Sequence, residues 1–206
     1  MSESLQCLQQ LTQKPAAVAW FRGLFRQIHV ELTDTGEKFT ILHHGDRVEV
    51  QPGFLGQEPN FVAPLESLNL RNLLSFFEDD TITPQEEYRI VKFMLKPCLR
   101  AALAMPILRN DALRRILKLD THWQEALLDP DGNEDEQLTV IFVNNQWLVI
   151  PGYHGEPQRR LRLTPGQVLD YQRRLFETDE KGSLTAWLDL AKWYVKWRDG
   201  VTPAAA

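Results

Sequence analysis

Residues Phe39–Gly56 read FTILHHGDRVEVQPGFLG, and 99 positions later Leu138–Gly155 read LTVIFVNNQWLVIPGYHG. Without a gap, Thr40 falls on Thr139, Pro52–Gly53 on Pro151–Gly152, Phe54 on Tyr153 and Gly56 on Gly155. The turn pair Gly45–Asp46 falls on Asn144–Asn145. With one residue dropped, Glu58–Pro59 matches Glu156–Pro157, and at the 99-residue spacing again Phe77–Glu78 matches Phe176–Glu177. Two copies at so long a spacing indicate a duplicated module rather than a solenoid, whose period would be about 20–50 residues.

Each copy is a set of short β-rich runs broken by turn residues and followed by a leucine-rich helix. His29–Leu32, Lys38–His43 and Arg47–Gln51 read as an antiparallel meander. Asn60–Leu65 follows as a further strand, and Pro64 suggests an edge position or a strand end because proline cannot donate to the ladder. Ser67 or Asn69 is positioned to cap LRNLLSFFED. In the second copy the strands are Thr139–Val143, Gln146–Ile150 and Arg159–Leu163. A helix capped by Thr164 follows, with Pro165 at its first position. The expected fold is α+β: antiparallel sheets from a duplicated β-β-β-α unit, covered by amphipathic helices. The acidic stretch Asp129–Gln137, DPDGNEDEQ, reads as a linker. It separates residues 1–128 from 138–206, with one continuous domain as the alternative.

The chain has 206 residues, 43% hydrophobic and 25% charged, enough to bury a core. A net charge of −5 argues against nucleic-acid binding by bulk electrostatics. Two cysteines, Cys7 and Cys98, make no disulfide framework, and a reduced, cytoplasmic setting is expected. The N-terminal sequence lacks the basic-then-apolar pattern of a secretory signal. No apolar run reaches the roughly 18 residues of a membrane span, leaving at most transient membrane contact.

Catalytic and metal signatures are missing. His43 and His44 are adjacent on a strand and point to opposite faces. The usual His or Cys spacing for a metal is absent, so no metal and no cofactor are expected. Glycines form no phosphate-cradling array. Cys98 reads as a small apolar residue. An enzymatic alternative would have to use His43, Asp46 and His154. The expectation is a non-enzymatic protein.

Apolar helix surface is in excess. Three helices, Pro15–Ile28, Pro84–Met105 and Ser183–Arg198, carry wider apolar faces than one sheet face requires. Pro97 is expected to kink the second of them. These faces suggest a cavity for an apolar small molecule lined by Trp20, Phe21, Phe25, Phe76, Phe77, Phe93, Met94 and Met105. The basic stripe Arg89, Lys92, Lys96 and Arg100 would receive an anionic head group. Core packing is the competing explanation for each liner. On the last helix, Leu190, Trp193 and Trp197 lie beyond the main apolar stripe, which suggests an interaction patch and a possible homodimer.

The aromatic lead helix, the segment FRQIHVELTDTGEKFTILHHGDRVEVQPG and the step LESLNLRNLLSFFEDDTITPQEEY resemble the sterol-carrier-protein family. The resemblance covers residues 16–105 and, more faintly, 138–200. It implies an α+β fold and non-enzymatic binding of fatty acyl chains, sterols or similar lipids, with no catalytic residues. The chain departs from that family where Tyr88–Ala104 reads as helix instead of a glycine-bounded strand.

Overall fold

A computed structural model describes residues 2–56, 62–77, 81–92, 108, 110–144 and 146–201. The chain divides into two compact units, Met1–Glu86 and Glu87–Ala206. The first holds α1 (Glu3–Gln13), α2 (Pro15–Phe21), β1 (Gln27–Leu32), β2 (Lys38–His43), β3 (Val48–Pro52), β4 (Val62–Leu65) and α3 (Ser67–Ser75). A helix over residues 84–92, α4, leads into the second unit. There follow α5 (Asp111–Ile116), β5 (His122–Leu128), β6 (Glu134–Val143), β7 (Gln146–Pro151), β8 (Arg159–Leu163), α6 (Pro165–Lys181) and α7 (Leu184–Val201).

The fold is α+β with a duplicated sheet unit. The sheets run β3-β2-β1-β4 and β7-β6-β5-β8, in the same order. In each, three strands form an antiparallel meander and the fourth returns parallel to the first. The sheets are therefore mixed, and each unit has four strands before its helix. Pro64 lies on β4, an edge strand, as its missing N–H requires.

The two Pro-Gly-aromatic turns match bond for bond. Thr40 Oγ1 donates to Gly53 O (2.9 Å) and accepts from Leu55 N (2.9 Å). Thr139 Oγ1 donates to Gly152 O (2.7 Å) and accepts from His154 N (2.9 Å). Gly53 and Gly152 hold φ of 79° and 80°, a left-handed backbone that glycine adopts without a Cβ penalty. Around each turn a glutamine and a histidine exchange places. Gln27 donates to Leu55 O, where His122 Nε2 meets His154 O (3.2 and 3.1 Å). His29 Nδ1 meets Thr40 Oγ1, where Gln124 donates to the carbonyls of His154 and Gly155.

Both threonines are buried, so Thr139→Val strands a carbonyl and an N–H at once. It should lower stability by about 2 kcal/mol, read as a shift in the urea midpoint, and Thr40→Val should do the same. A change below about 0.5 kcal/mol would show that the turn does not depend on this hydroxyl.

Three expectations are corrected by backbone geometry. The first aromatic helix ends at Phe21 rather than Ile28, because Gly23 turns the chain at φ 73° and Ile28 enters β1. Asp129–Gln137 is no linker: it forms the β5–β6 turn and the start of β6, within one sheet. The unit boundary lies at Glu86/Glu87 instead. β5 carries no strand signal in the sequence, because five consecutive residues of it are buried, polar Gln124 and Glu125 among them, and the alternation of a half-exposed strand is lost.

The caps follow local chemistry. Thr164 and Gln167 form a capping box on α6, and Gly182 closes that helix at φ 59°. On α3 neither Ser67 nor Asn69 caps. Asp34, from the β1–β2 hairpin, accepts the Ser67 N–H (3.1 Å) and hydroxyl. The first core joins Cys7, Leu8, Val30, Leu32, Phe39, Ala63 and Leu70. In the second unit the buried apolar residues include Leu127, Leu138, Val140, Leu161 and Leu163 on the sheet and Val168, Leu169, Leu175, Leu190 and Ala191 on α6 and α7. Among the described residues no helix is long and apolar enough to cross a membrane.

Candidate functional site

Strand alternation puts Trp123, Glu125, Leu138, Val140, Phe142, Trp147 and Leu161 on one face of the second sheet. On that face three rings lie edge to face or tilted. Trp123 and Trp147 have centroids 5.4 Å apart, and Phe142 and Trp147 5.0 Å. Trp147 Nε1 donates to Leu108 O (3.3 Å).

A buried acid bounds the strip at one end. Glu125 is 3% exposed, between Leu138 and Leu161 on the flanking strands. Its Oε1 accepts from Trp123 Nε1 (2.7 Å), and its Oε2 has no partner among the described residues. Burial raises its pKa to about 7, only partly opposed by the Trp123 hydrogen bond. Tyr194, on α7, is pushed up by its own burial and then by the Glu125 charge.

A buried cation bounds the other end. Arg114, on α5, is 5% exposed, with Cζ 3.8 Å from the Phe142 centroid and 5.8 Å from that of Trp147. One guanidinium nitrogen reaches Asp111 Oδ1 at 2.6 Å. Nε and Nη1 have no partner among the described residues.

The duplication provides an internal comparison. Register sets Trp123 and Glu125 against Ile28 and Val30 of the first sheet, and Phe142 and Trp147 against His43 and Val48. The fold is met by aliphatic residues at the first two positions. The acid and the tryptophans are therefore additions that the sheet does not require.

Of the expected ligand liners, Trp20, Phe21, Phe25 and Phe77 come together in the first unit. Their rings sit 5.0 Å (Trp20–Phe21), 6.4 Å (Trp20–Phe77), 5.9 Å (Phe21–Phe25) and 5.8 Å (Phe21–Phe77) apart. Trp20, Phe76 and Phe77 are buried, while Phe21 and Phe25 are half-buried. Phe93, Met94, Met105, Lys96 and Arg100 lie outside the described residues, as do Pro97 and Cys98.

Of the basic stripe, Lys92 is paired within the protein. Lys92 Nζ lies 2.7 Å from Asp135 and 3.7 Å from Glu136. Hydrogen bonds from Lys92 and then Tyr88 hold the Asp135 carboxyl down at about 2. Arg89 sits on the exposed side of α4.

In the C-terminal aromatic patch Leu190 is buried, while Trp193 and Trp197 are half-buried. Leu190 is 4% exposed, and Trp193 and Trp197 stack on Tyr171 of α6 at 6.1 and 5.5 Å. The short Gly182–Ser183 connection folds α7 back on α6, and that neighbour was not legible in either helix alone. Trp187, Leu188 and Val195 are half-buried as well, and Leu184 is exposed. Beside Trp193 an open groove of about 320 Å³ sets Arg174 and Lys181 against Glu177 and Asp189. Its mixed charge selects no ligand.

His43 Nε2 is tied to Val18 O (3.2 Å), and His154 Nε2 to Pro151 O (2.8 Å). Among the described residues no group of three or more His, Cys, Asp or Glu could hold a metal ion. No protein-family model, curated protein or solved structure matches the chain.

Proposed function

We propose that the chain is a non-catalytic binding protein for an apolar ligand, seated along the helix-facing side of the second sheet. The observation that carries this proposal is the Trp123–Trp147–Phe142 strip, bounded by Glu125 and Arg114, each with unmet hydrogen-bonding atoms. Buried polar groups in native proteins are almost always satisfied, so three orphan atoms around one aromatic strip ask for a partner. Ligand sites have this composition: apolar and aromatic walls with a few polar groups that fix orientation. A core built only for stability is better served by residues such as Val30 at the sister position.

The resemblance to the sterol-carrier-protein family supports the same ligand class, fatty acyl or sterol-like. The first-unit cluster around Phe21 and Phe25 supplies a second apolar surface, where half-buried rings flank buried Trp20 and Phe77.

Titrating the full chain with Nile red, a neutral apolar dye, tests the proposal. Saturable uptake at one molecule per chain is expected, weakened about tenfold by Trp147→Ala. Uptake that never saturates, together with a bare mass in native mass spectrometry of the freshly purified protein, would end the proposal.

A further inference from the structure

The expected head-group cation Lys92 is answered within the protein by Asp135 and Glu136. Arg114 is not answered to the same extent. Its one carboxylate partner among the described residues, Asp111, is exposed and also bonds Arg115 Nη2 at 3.0 Å, so one negative charge serves two guanidinium groups. The set Asp111, Arg114 and Arg115 carries one unbalanced positive charge. Arg114 itself is held by Asp111 on one nitrogen and by the Phe142 ring under its plane, which leaves Nε and Nη1 unmet among the described residues and shielded from solvent. A planar guanidinium fixed in this way is suited to an oxyanion, which accepts from two of its nitrogens at once.

We propose that Arg114 anchors the anionic head group, a carboxylate or a phosphate ester, of an amphiphile whose apolar body lies along Phe142 and Trp147. This assignment rests on the binding function proposed above and adds the ligand's charge and orientation. The strip's two ends are not equivalent. An anion is drawn to Arg114 and turned away from Glu125, whose own acid would repel it once ionised. One end thus takes the charge, and the other can meet only an apolar or neutral hydrogen-bonding group.

Three probes of equal chain length separate the possibilities: laurate, dodecyl phosphate and dodecanol, each titrated into the full chain below its aggregation limit. At least one of the two anions should bind about tenfold or more tightly than the alcohol, the effect of a charge-assisted hydrogen bond in a shielded site. Which anion binds better tells a carboxylate head from a phosphate. Arg114→Met should remove the gap between the anions and dodecanol. Arg114→Lys, which keeps the charge without the fork, should retain only part of it. Lys92→Met should leave the gap intact.

If all three probes bind wild type equally, or if Arg114→Met preserves the preference, the anchor is wrong while apolar binding stands. If none binds, the binding function fails with it. The wild-type comparison requires no variant, so a misfolded Arg114→Met protein would not shield the proposal.

Discussion

Glu125→Gln should flatten the pH dependence of stability between about pH 4.5 and 7, and should make the protein more stable than wild type at pH 8. The folded carboxyl titrates at about 7, against an ordinary glutamate value of 4.5. Below 4.5 the folded and unfolded chains both hold the proton and the acid exacts no ionic penalty. Between 4.5 and 7 the unfolded chain releases its proton while the folded chain retains it. There the folded state binds more protons, and stability falls as pH rises. Above 7 both are ionised and the loss levels off. A gap of about 2.5 pH units corresponds to about 3 kcal/mol. Glutamine keeps an acceptor for Trp123 Nε1 and removes the charge. Urea midpoints at half-unit pH steps should therefore show wild type falling towards neutrality and the variant level. If the two curves stay parallel, Glu125 does not hold its proton in the folded state.

The other large effect expected is from Asp120→Ala. Asp120 accepts from Arg159 Nε and Arg198 Nη1, both at 2.8 Å. Arg198, on α7, is 4% exposed and also donates to Lys118 O at 2.9 Å. Removing the carboxylate leaves a desolvated guanidinium facing a second one, at a cost of about 3 kcal/mol. Asp199 remains 3.1 Å from Arg159 and 3.6 Å from Arg198, which argues for the lower end of the usual range. The backbone amides of residues 184–201 should exchange markedly faster with solvent deuterium. Adding Arg198→Met to Asp120→Ala should recover part of the loss, because the stranded charge goes with it. A single variant within about 0.5 kcal/mol of wild type would mean that Asp199 suffices to hold both arginines.

The fold was legible where local rules are strong. Thr40/Thr139 and the Pro-Gly-aromatic turns announced the duplication, since a left-handed glycine and a hydroxyl between two backbone groups are fixed by a few residues. Thr164–Gln167 and Gly182 marked both ends of α6 for the same reason. Pro64 narrowed its strand to an edge or an end, and the edge is where it lies. β5 was not legible, because a strand buried on both faces loses the two-residue alternation. The parallel return of β4 and β8 was not legible either, since strand direction depends on where the connection comes back.

The functional residues divide along the same line. Trp20, Phe21, Phe25 and Phe77 advertise themselves by helical spacing and meet in one cluster. Glu125 and Arg114 do not. An acid in HWQEALL and an arginine in NDALRRI look like solvent-facing charges. Only the sister register, with Val30 opposite Glu125, marks the acid as an addition. Leu190, Trp193 and Trp197 show the converse: a patch that looks fully exposed on one helix is partly covered once Tyr171 is seen beside it.

By itself the sequence determined the twice-used module, its turns and caps, and the surplus of aromatic side chains. These depend on contacts within about fifteen residues, where backbone sterics and hydrogen bonding leave few choices. The tertiary structure decided which charges lose water and which keep a partner. That is a property of what packs above a residue, and strands distant in sequence bring Glu125, Arg114 and Lys92 their different neighbours.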